Sequence, residues 1–262
     1  IEISCSANRA SPFMSRPTTT TSPLRLERRV IRLARKKVVF VIVEGPSDDE
    51  ALGVLFNRIF DRNSVFVHIM HRDITSERGV RPDNILSRLG NEVRTYAKSN
   101  HFTSKDFQEI IHITDMDGAY VADEHIVEDP SAKHPVYSTE EIATCSVEAI
   151  AARNGQKRQN LDKLCSCNQL WGIPYRVFYM SCNLDHVLYN KLNSTDAEKE
   201  ADAYAFALQY RNDIAAFRSF ILDSDFSVSS SYKDSWAFIK SGTESLKRHT
   251  NLGLCFPPAL QE

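Results

Sequence analysis

Three apolar runs in this chain stop on or just before carboxylates. Residues 38–43 (VVFVIV) end at Glu44, residues 110–114 (IIHIT) end at Asp115-Met116-Asp117-Gly118, and residues 175–180 (YRVFYM) lead through Ser181-Cys182-Asn183-Leu184 to Asp185. Glu44 and Asp115 are 71 positions apart. Two carboxylates that close a buried strand are costly unless something cationic meets them. Acids from several strand ends of one parallel sheet share an edge, so they can converge on a hard oxygen site. Mg²⁺ suits sparse acids of this kind, because it keeps several waters and takes one or two carboxylates together with substrate phosphate; Mn²⁺ is the alternative ion. Alternate residues of a strand point the same way, so Asp115 and Asp117 address one ion or an adjacent pair. Gly118 lets the backbone turn away. Glu44, Asp115, Asp117 and Asp185 are therefore the candidate metal ligands.

The elements that must place these acids are strands and the helices between them. Residues 38–43 are apolar and mostly β-branched, the pattern of a strand buried on both faces. Ligands of open α/β sheets gather outside the carboxyl ends of such strands, where Glu44 would sit. Gly45-Pro46 is a turn signal, and Ser47-Asp48-Asp49-Glu50 matches a capping box with Ser47 as the cap. Helix capping and the helix dipole account for Asp48, Asp49 and Glu50; Glu44 has no such explanation. Leu52, Leu55, Phe56 and Ile59 give the helix one apolar face. Residues 65–70 read as a second strand, and a helix is expected from Pro82 with Leu86, Leu89, Val93 and Ala97 as its buried stripe. Residues 119–172 lack strong periodicity, apart from a helical stretch over 140–152. Beyond Ser194 the pattern is helical, with Tyr204, Leu208, Phe217 and Ile221 near one stripe over 196–222 and a second helix over 234–248, joined by a Ser-rich link at 227–231.

This predicts an α/β fold, a parallel four-stranded sheet flanked by helices. Residues 38–192 would form the domain and 193–262 a helical C-terminal region. Residues 1–23 are rich in Ser, Thr and Pro, which reads as a disordered leader with Met14 as a true start. Seven basic residues at 24–37, with Leu26, Val30 and Leu33 at helical spacing, suit a short basic amphipathic helix. Residues 1–37 carry +7 and the remainder −9, for a net −2. The body has no overall basic footprint, so any polyanion must be held by local patches, metal ions or the arm.

Six cysteines at irregular spacing in 262 residues do not form a secreted disulfide framework. They read as reduced thiols of a cytoplasmic protein, and Cys165-Ser166-Cys167 lacks a second pair for zinc. No apolar stretch approaches the roughly 20 residues of a membrane span, so a soluble protein is expected.

An apolar strand ending in Glu44-Gly45, a helix start with Ser47-Asp48, and a later strand ending in Asp115-x-Asp117 resemble the Toprim domain of type IA and II topoisomerases, bacterial primases and several nucleases. The likeness covers roughly residues 38–192. Residues 181–189 (SCNLDHVLY) are similar to the Ser-x-x-x-(Glu/Asp) stretch after the fourth strand in small stand-alone Toprim proteins, including RloB-like and overcoming-lysogenization-type nucleases of phage defence. Asp185 stands where many of these have Glu, and no P-loop of G-x-x-x-x-G-K-[ST] form is present. The resemblance implies phosphoryl-transfer chemistry on DNA or RNA. Asp115 and Asp117 would be magnesium ligands, and Glu44 a ligand or general acid/base. It also implies a partner protein, such as an ATPase, that supplies a trigger. Two-strand cutting would require a homo-oligomer. Metal-assisted hydrolysis needs fewer parts than strand passage or priming, so a nuclease is the expected activity.

Two rival readings use the same residues. A Toprim-like module without catalysis would bind nucleic acid or a partner. Asp115-Met116-Asp117-Gly118 also resembles the first motif of haloacid-dehalogenase phosphatases, with Asp115 as nucleophile and Asp117 as general acid. There, however, Ala119 replaces a hydroxyl residue and Glu44 has no purpose. His112 and His186 read as packed histidines. Lys240, Lys247 and Arg248 line the expected end of the last helix as candidate nucleic-acid contacts, although cations there also answer the helix dipole.

Overall fold

The computed structural model describes residues 36–60 and 65–256. The leader and basic helix expected over 1–37 lie outside them, except Lys36 and Lys37. Lys37 already begins the first strand.

Four parallel strands form the centre of the main sheet. They are β1 (Lys37–Val43), β2 (Val65–His71), β3 (Phe107–Asp115) and β8 (Ile173–Ser181), in the order β2-β1-β3-β8. The sheet has six strands, not the four expected. Two short antiparallel strands, β7 (Gln169–Leu170) and β9 (His249–Thr250), pair with opposite ends of β8. Two-residue strands carry no periodicity that a sequence pattern could reveal. The fold class is α/β with a mixed sheet.

Strand alternation sorts the core into two layers. Val39, Val41 and Val43 of β1, with Ile111, Ile113, Phe178 and Met180, pack under α1 (Pro46–Ile59), α4 (Leu184–Tyr189), α5 (Asp196–Tyr210) and α6 (Ile214–Asp223). Val38, Phe40, Ile42, Ile110, Tyr175, Val177 and Tyr179 face α2 (Ile85–Ser99), α3 (Val147–Cys165) and α7 (Tyr232–Ile239). The strands are thus apolar on both faces because helices cover both. A second, three-stranded sheet of β4 (Ile126–Glu128), β5 (Val136–Tyr137) and β6 (Ile142–Thr144) follows β3. None of the helices of the described residues is long and apolar enough to cross a membrane.

Several elements depart from the sequence pattern for identifiable reasons. Helix α1 starts at Pro46, one residue before the expected cap, because proline lacks the N–H that a first-turn residue cannot pair. Asp48, not Ser47, then reaches back to the free amides. Helix α2 starts at Ile85, since Asn84 turns its side chain onto Arg81 N and Gly79 O and keeps Pro82 in a turn. Of the helical stretch expected over 140–152, residues 142–144 form β6 instead and only 147–152 are helical; they open α3, whose 19 residues carry no apolar stripe to Cys165 because the buried face holds Asn154, Lys157 and Asn160. In α5 the buried face is Ala203, Phe206, Ala207 and Tyr210, while Tyr204 and Leu208 are exposed. The expected helix over 234–248 is broken: α7 ends at Ile239 and Gly242, at φ +48, turns the chain into a 3-10 turn and β9.

Candidate active site

The chain leaves each of the four parallel strands at the same sheet edge, and each exit carries an acid. Glu44 follows β1, Asp73 follows β2, Asp115 and Asp117 close β3, and Asp185 follows β8. Adjacent pairing of β1 and β3 brings Glu44 and Asp115 together. Glu44 Oε1 accepts hydrogen bonds from Asp115 N at 3.0 Å and Thr114 Oγ1 at 2.7 Å. Asp115 Oδ1 accepts from Leu184 N at 2.9 Å, which ties β3 to the start of α4. Asp117 takes the left-handed conformation at φ 47, and its N–H and that of Met116 donate to Cys182 O at 2.8 and 2.9 Å. A non-glycine residue held there costs roughly 1–3 kcal/mol and persists because the surroundings fix it. Gly118 continues the turn at φ +65, and a Cβ there would lie 2.6 Å from Leu246 Cδ2.

A lysine absent from the sequence reading completes the group. Lys157 on α3 is wholly buried; its ammonium donates to Asp117 Oδ2 and stands 3.6 Å from Glu44 Oε1. Arg153, one turn earlier, donates to Asp117 O at 2.9 Å and to Tyr137 Oη at 2.7 Å. A signal for Lys157 did exist. Ile150, Asn154, Lys157, Leu161 and Leu164 are all buried, and they recur at four- and three-residue steps. Polar residues occupy the core positions of that stripe.

Asp48 was also missed, since helix capping sufficed to explain it. Its Oδ2 accepts from Gly45 N at 2.9 Å and Glu44 N at 3.1 Å, so it does cap. The side chain is also buried and lies close enough to Asp115 to raise that acid. Asp185 belongs to the other flank. Its neighbours are Lys199, at 3.7 Å, and Asp48, and Asn183, not Asp185, caps α4 through His186 N.

Burial, and after it the crowding of charges, governs the electrostatics. Burial pushes Glu44 up to about 8 against the pull of Lys157, with Asp73 and Asp117 adding to the rise. Burial lifts Asp48 to about 6. Asp115 is held well above the carboxylate range by burial and then by Glu44, Asp48 and Asp117. Burial acts to raise Asp117 too, but Lys157 and Arg153 outweigh it and keep the group below its ordinary value. Lys157 itself is raised, because Asp117 and Glu44 overcome its desolvation.

Among the described residues, no group of three His, Cys, Asp or Glu side chains is set ready to hold a metal ion. The donor chemistry nonetheless fits a hard divalent cation. The contacts above use one oxygen each of Glu44, Asp115 and Asp117, leaving the second to water or an ion. Burial first, and then the neighbouring acids, raise Glu44 and Asp115 despite Lys157, so a cation there would compete with a proton.

The candidate cations near the C-terminus are dispersed. Lys240, just past α7, donates to Asp162 at 2.7 Å. Lys247 pairs with Glu244 at 2.6 Å. The Arg248 guanidinium bonds Val187 O and lies over the Phe226 ring. His112 and His186 are buried and pushed down to about 4, His112 by burial and His186 by burial and Arg248. The chain matches no protein-family profile, no curated protein and no solved structure.

Proposed function

We propose that this chain is a metal-dependent nuclease with a Toprim-like site that hydrolyses nucleic-acid phosphodiesters. The observation that carries the reading is the meeting of Glu44 with Asp115 and Asp117 at the carboxyl edge of a parallel sheet. The order Glu-Gly at the end of β1, Ser-Asp at the start of α1 and Asp-x-Asp at the end of β3 supports it. Glu44, Asp115 and Asp117 would hold Mg²⁺ or Mn²⁺. When bound, the cation neutralises phosphate charge and activates water.

The chain's own residues prepare that site. Thr114 and the Asp115 amide fix one oxygen of Glu44, and Leu184 N fixes one oxygen of Asp115. Lys157 is too deeply buried to meet a substrate, so it acts as a positioning residue that anchors Asp117 and draws Glu44 toward it. Without a cation, Glu44 keeps its proton up to about pH 8, and a cation would displace it. A binding module without catalysis is the second reading. It draws support from Lys157, which already gives two of the acids an internal counter-charge.

Purified protein incubated with DNA and RNA strands and duplexes, under Mg²⁺ or Mn²⁺, tests the proposal. Cleavage that disappears with chelator and in folded Glu44→Gln or Asp115→Asn protein is the expected outcome. Intact polynucleotides under both ions would leave the binding module. Hydrolysis of small phosphoesters alone would instead indicate a phosphatase.

A further inference from the structure

Helix α3 has a second working face. Lys157 enters the acidic site, and the next residue, Arg158, lines a groove of about 700 Å³ between α3 and α7. Tyr120, three residues after Asp117, lines the same groove with Trp236, Lys233 and Lys240 of the α7 side. The groove therefore adjoins the acidic site through one loop and one helix. Its volume lies within the range of small-ligand sites.

The groove combines one half-buried aromatic ring, Tyr120, backed by the buried Trp236, with excess positive charge. Trp236 is held in place by its Nε1–H, which donates to Val177 O at 3.3 Å, and by edge-on contact with Tyr179 at 5.3 Å. Tyr120 is pinned through its hydroxyl to Asp162 at 2.8 Å. The Lys240 ammonium stands 5.3 Å from the centre of the Tyr120 ring and 5.7 Å from that of Trp236. Asp162, the acid of the groove, is engaged by Tyr120 and Lys240. Among the described residues, no carboxylate forms an ion pair with Arg158 or Lys233. With Lys240 and Asp162 paired to each other, Arg158 and Lys233 leave a net positive charge that favours an anionic occupant, and the half-buried Tyr120 ring favours one with a flat face.

We propose that this groove binds an unpaired stretch of the nucleic-acid strand whose phosphodiester reaches the acidic site, an assignment that rests on the nuclease reading of that site. Bases of an unpaired strand expose their faces for stacking on aromatic side chains, with flanking phosphates meeting Lys or Arg. A duplex stacks its bases on each other and offers no free face. The groove thereby selects looped, frayed or single-stranded substrate, and stacking makes that choice tolerant of sequence.

The test uses full-length Glu44→Gln protein in chelator, so that binding is read without cleavage. Fluorescence anisotropy compares labelled oligo(dT) and oligo(U) of roughly 12 nucleotides with a duplex of equal length. Both strands are expected to bind at least about tenfold more tightly than the duplex. Adding Arg158→Glu and Lys233→Glu should lower strand affinity at least about tenfold and reduce its dependence on log salt by about 1–2. Tyr120→Leu should cost roughly tenfold with the salt dependence unchanged. Duplex bound as tightly as strand, or strand binding untouched in the folded charge-reversal protein, overturns the proposal. Strand binding that needs Arg158 and Lys233 in a wild-type protein that cleaves nothing upholds the groove and discards the nuclease. Metal-dependent cleavage with strand binding indifferent to all three substitutions does the reverse.

Discussion

Replacing Glu44 with glutamine should make the metal-free protein more stable while removing its activity, and the gain should depend on pH. Glutamine keeps an Oε1 that accepts from Thr114 and the Asp115 amide, but it carries no charge to bury. Glu44 has its carboxyl raised from the ordinary 4.5 to about 8. Its neutral form is therefore favoured by folding: stability is fully present below pH 4.5 and is lost as pH rises through 8. At about 1.4 kcal/mol per pH unit, the loss at pH 9 is about 2–5 kcal/mol, the upper figure applying if the surroundings do not relax. For a chain of this size that corresponds to a melting temperature about 5–15 °C higher for Glu44→Gln at pH 9, and no difference near pH 4.5. Thermal melts of both proteins in chelator across this range measure it directly. A variant that melts at or below wild type at pH 9 would refute the claim that Glu44 is a buried charge lacking a full partner.

Three further outcomes follow from the same geometry. Mg²⁺ binding near pH 7 should release about one proton per ion and tighten as pH rises, because Glu44 keeps its proton up to about pH 8 in the metal-free state and Asp115 is also raised, by burial and then by its neighbouring acids; calorimetry in buffers of differing ionisation enthalpy reads the proton count. Gly118→Ala should destabilise by about 2–4 kcal/mol in a denaturant titration, since the site combines a left-handed φ of +65 with a Cβ 2.6 Å from Leu246. Buried His112, lowered to about 4, contributes stability above its ordinary 6.5 that is lost as pH falls toward 4, by up to about 3 kcal/mol. The difference between His112→Gln and wild-type stability over that interval isolates the effect, because both proteins share the opposing titration of the acids.

The four parallel strands at the centre of the sheet and half of the acidic group were legible in the sequence, and the reason is local. Residues 38–43 and 110–114 are apolar without interruption because helices cover both faces of their strands, and each run stops on an acid that ends up at the shared edge. Glu44, Asp115 and Asp117 could therefore be grouped before any contact was known. Asp48 was hidden by a sufficient simpler role, which it does perform. Lys157 was hidden because a lysine on a helix reads as solvated, and the polar members of its buried stripe erased the periodicity that would have marked α3. Asp185 shared the strand-end logic but not the destination. The loop after β8 passes Asp115 through the Leu184 amide and carries Asp185 on toward Lys199. The groove beside α7 was beyond pattern reading altogether, since its walls are 120, 158 and 233–240, brought together only by the packing of α3 and α7 on one face of the sheet.

The proposed nuclease requires the acids at the carboxyl edge of the sheet to gather a divalent cation. Anomalous diffraction from crystals grown with Mn²⁺ tests it most directly. A peak is expected within about 2.5 Å of carboxylate oxygens from Asp115 and from Glu44 or Asp117, lost in Asp115→Asn crystals of the same fold. A well-ordered cluster with Lys157 still between Glu44 and Asp117, and no manganese at millimolar concentration, would contradict it.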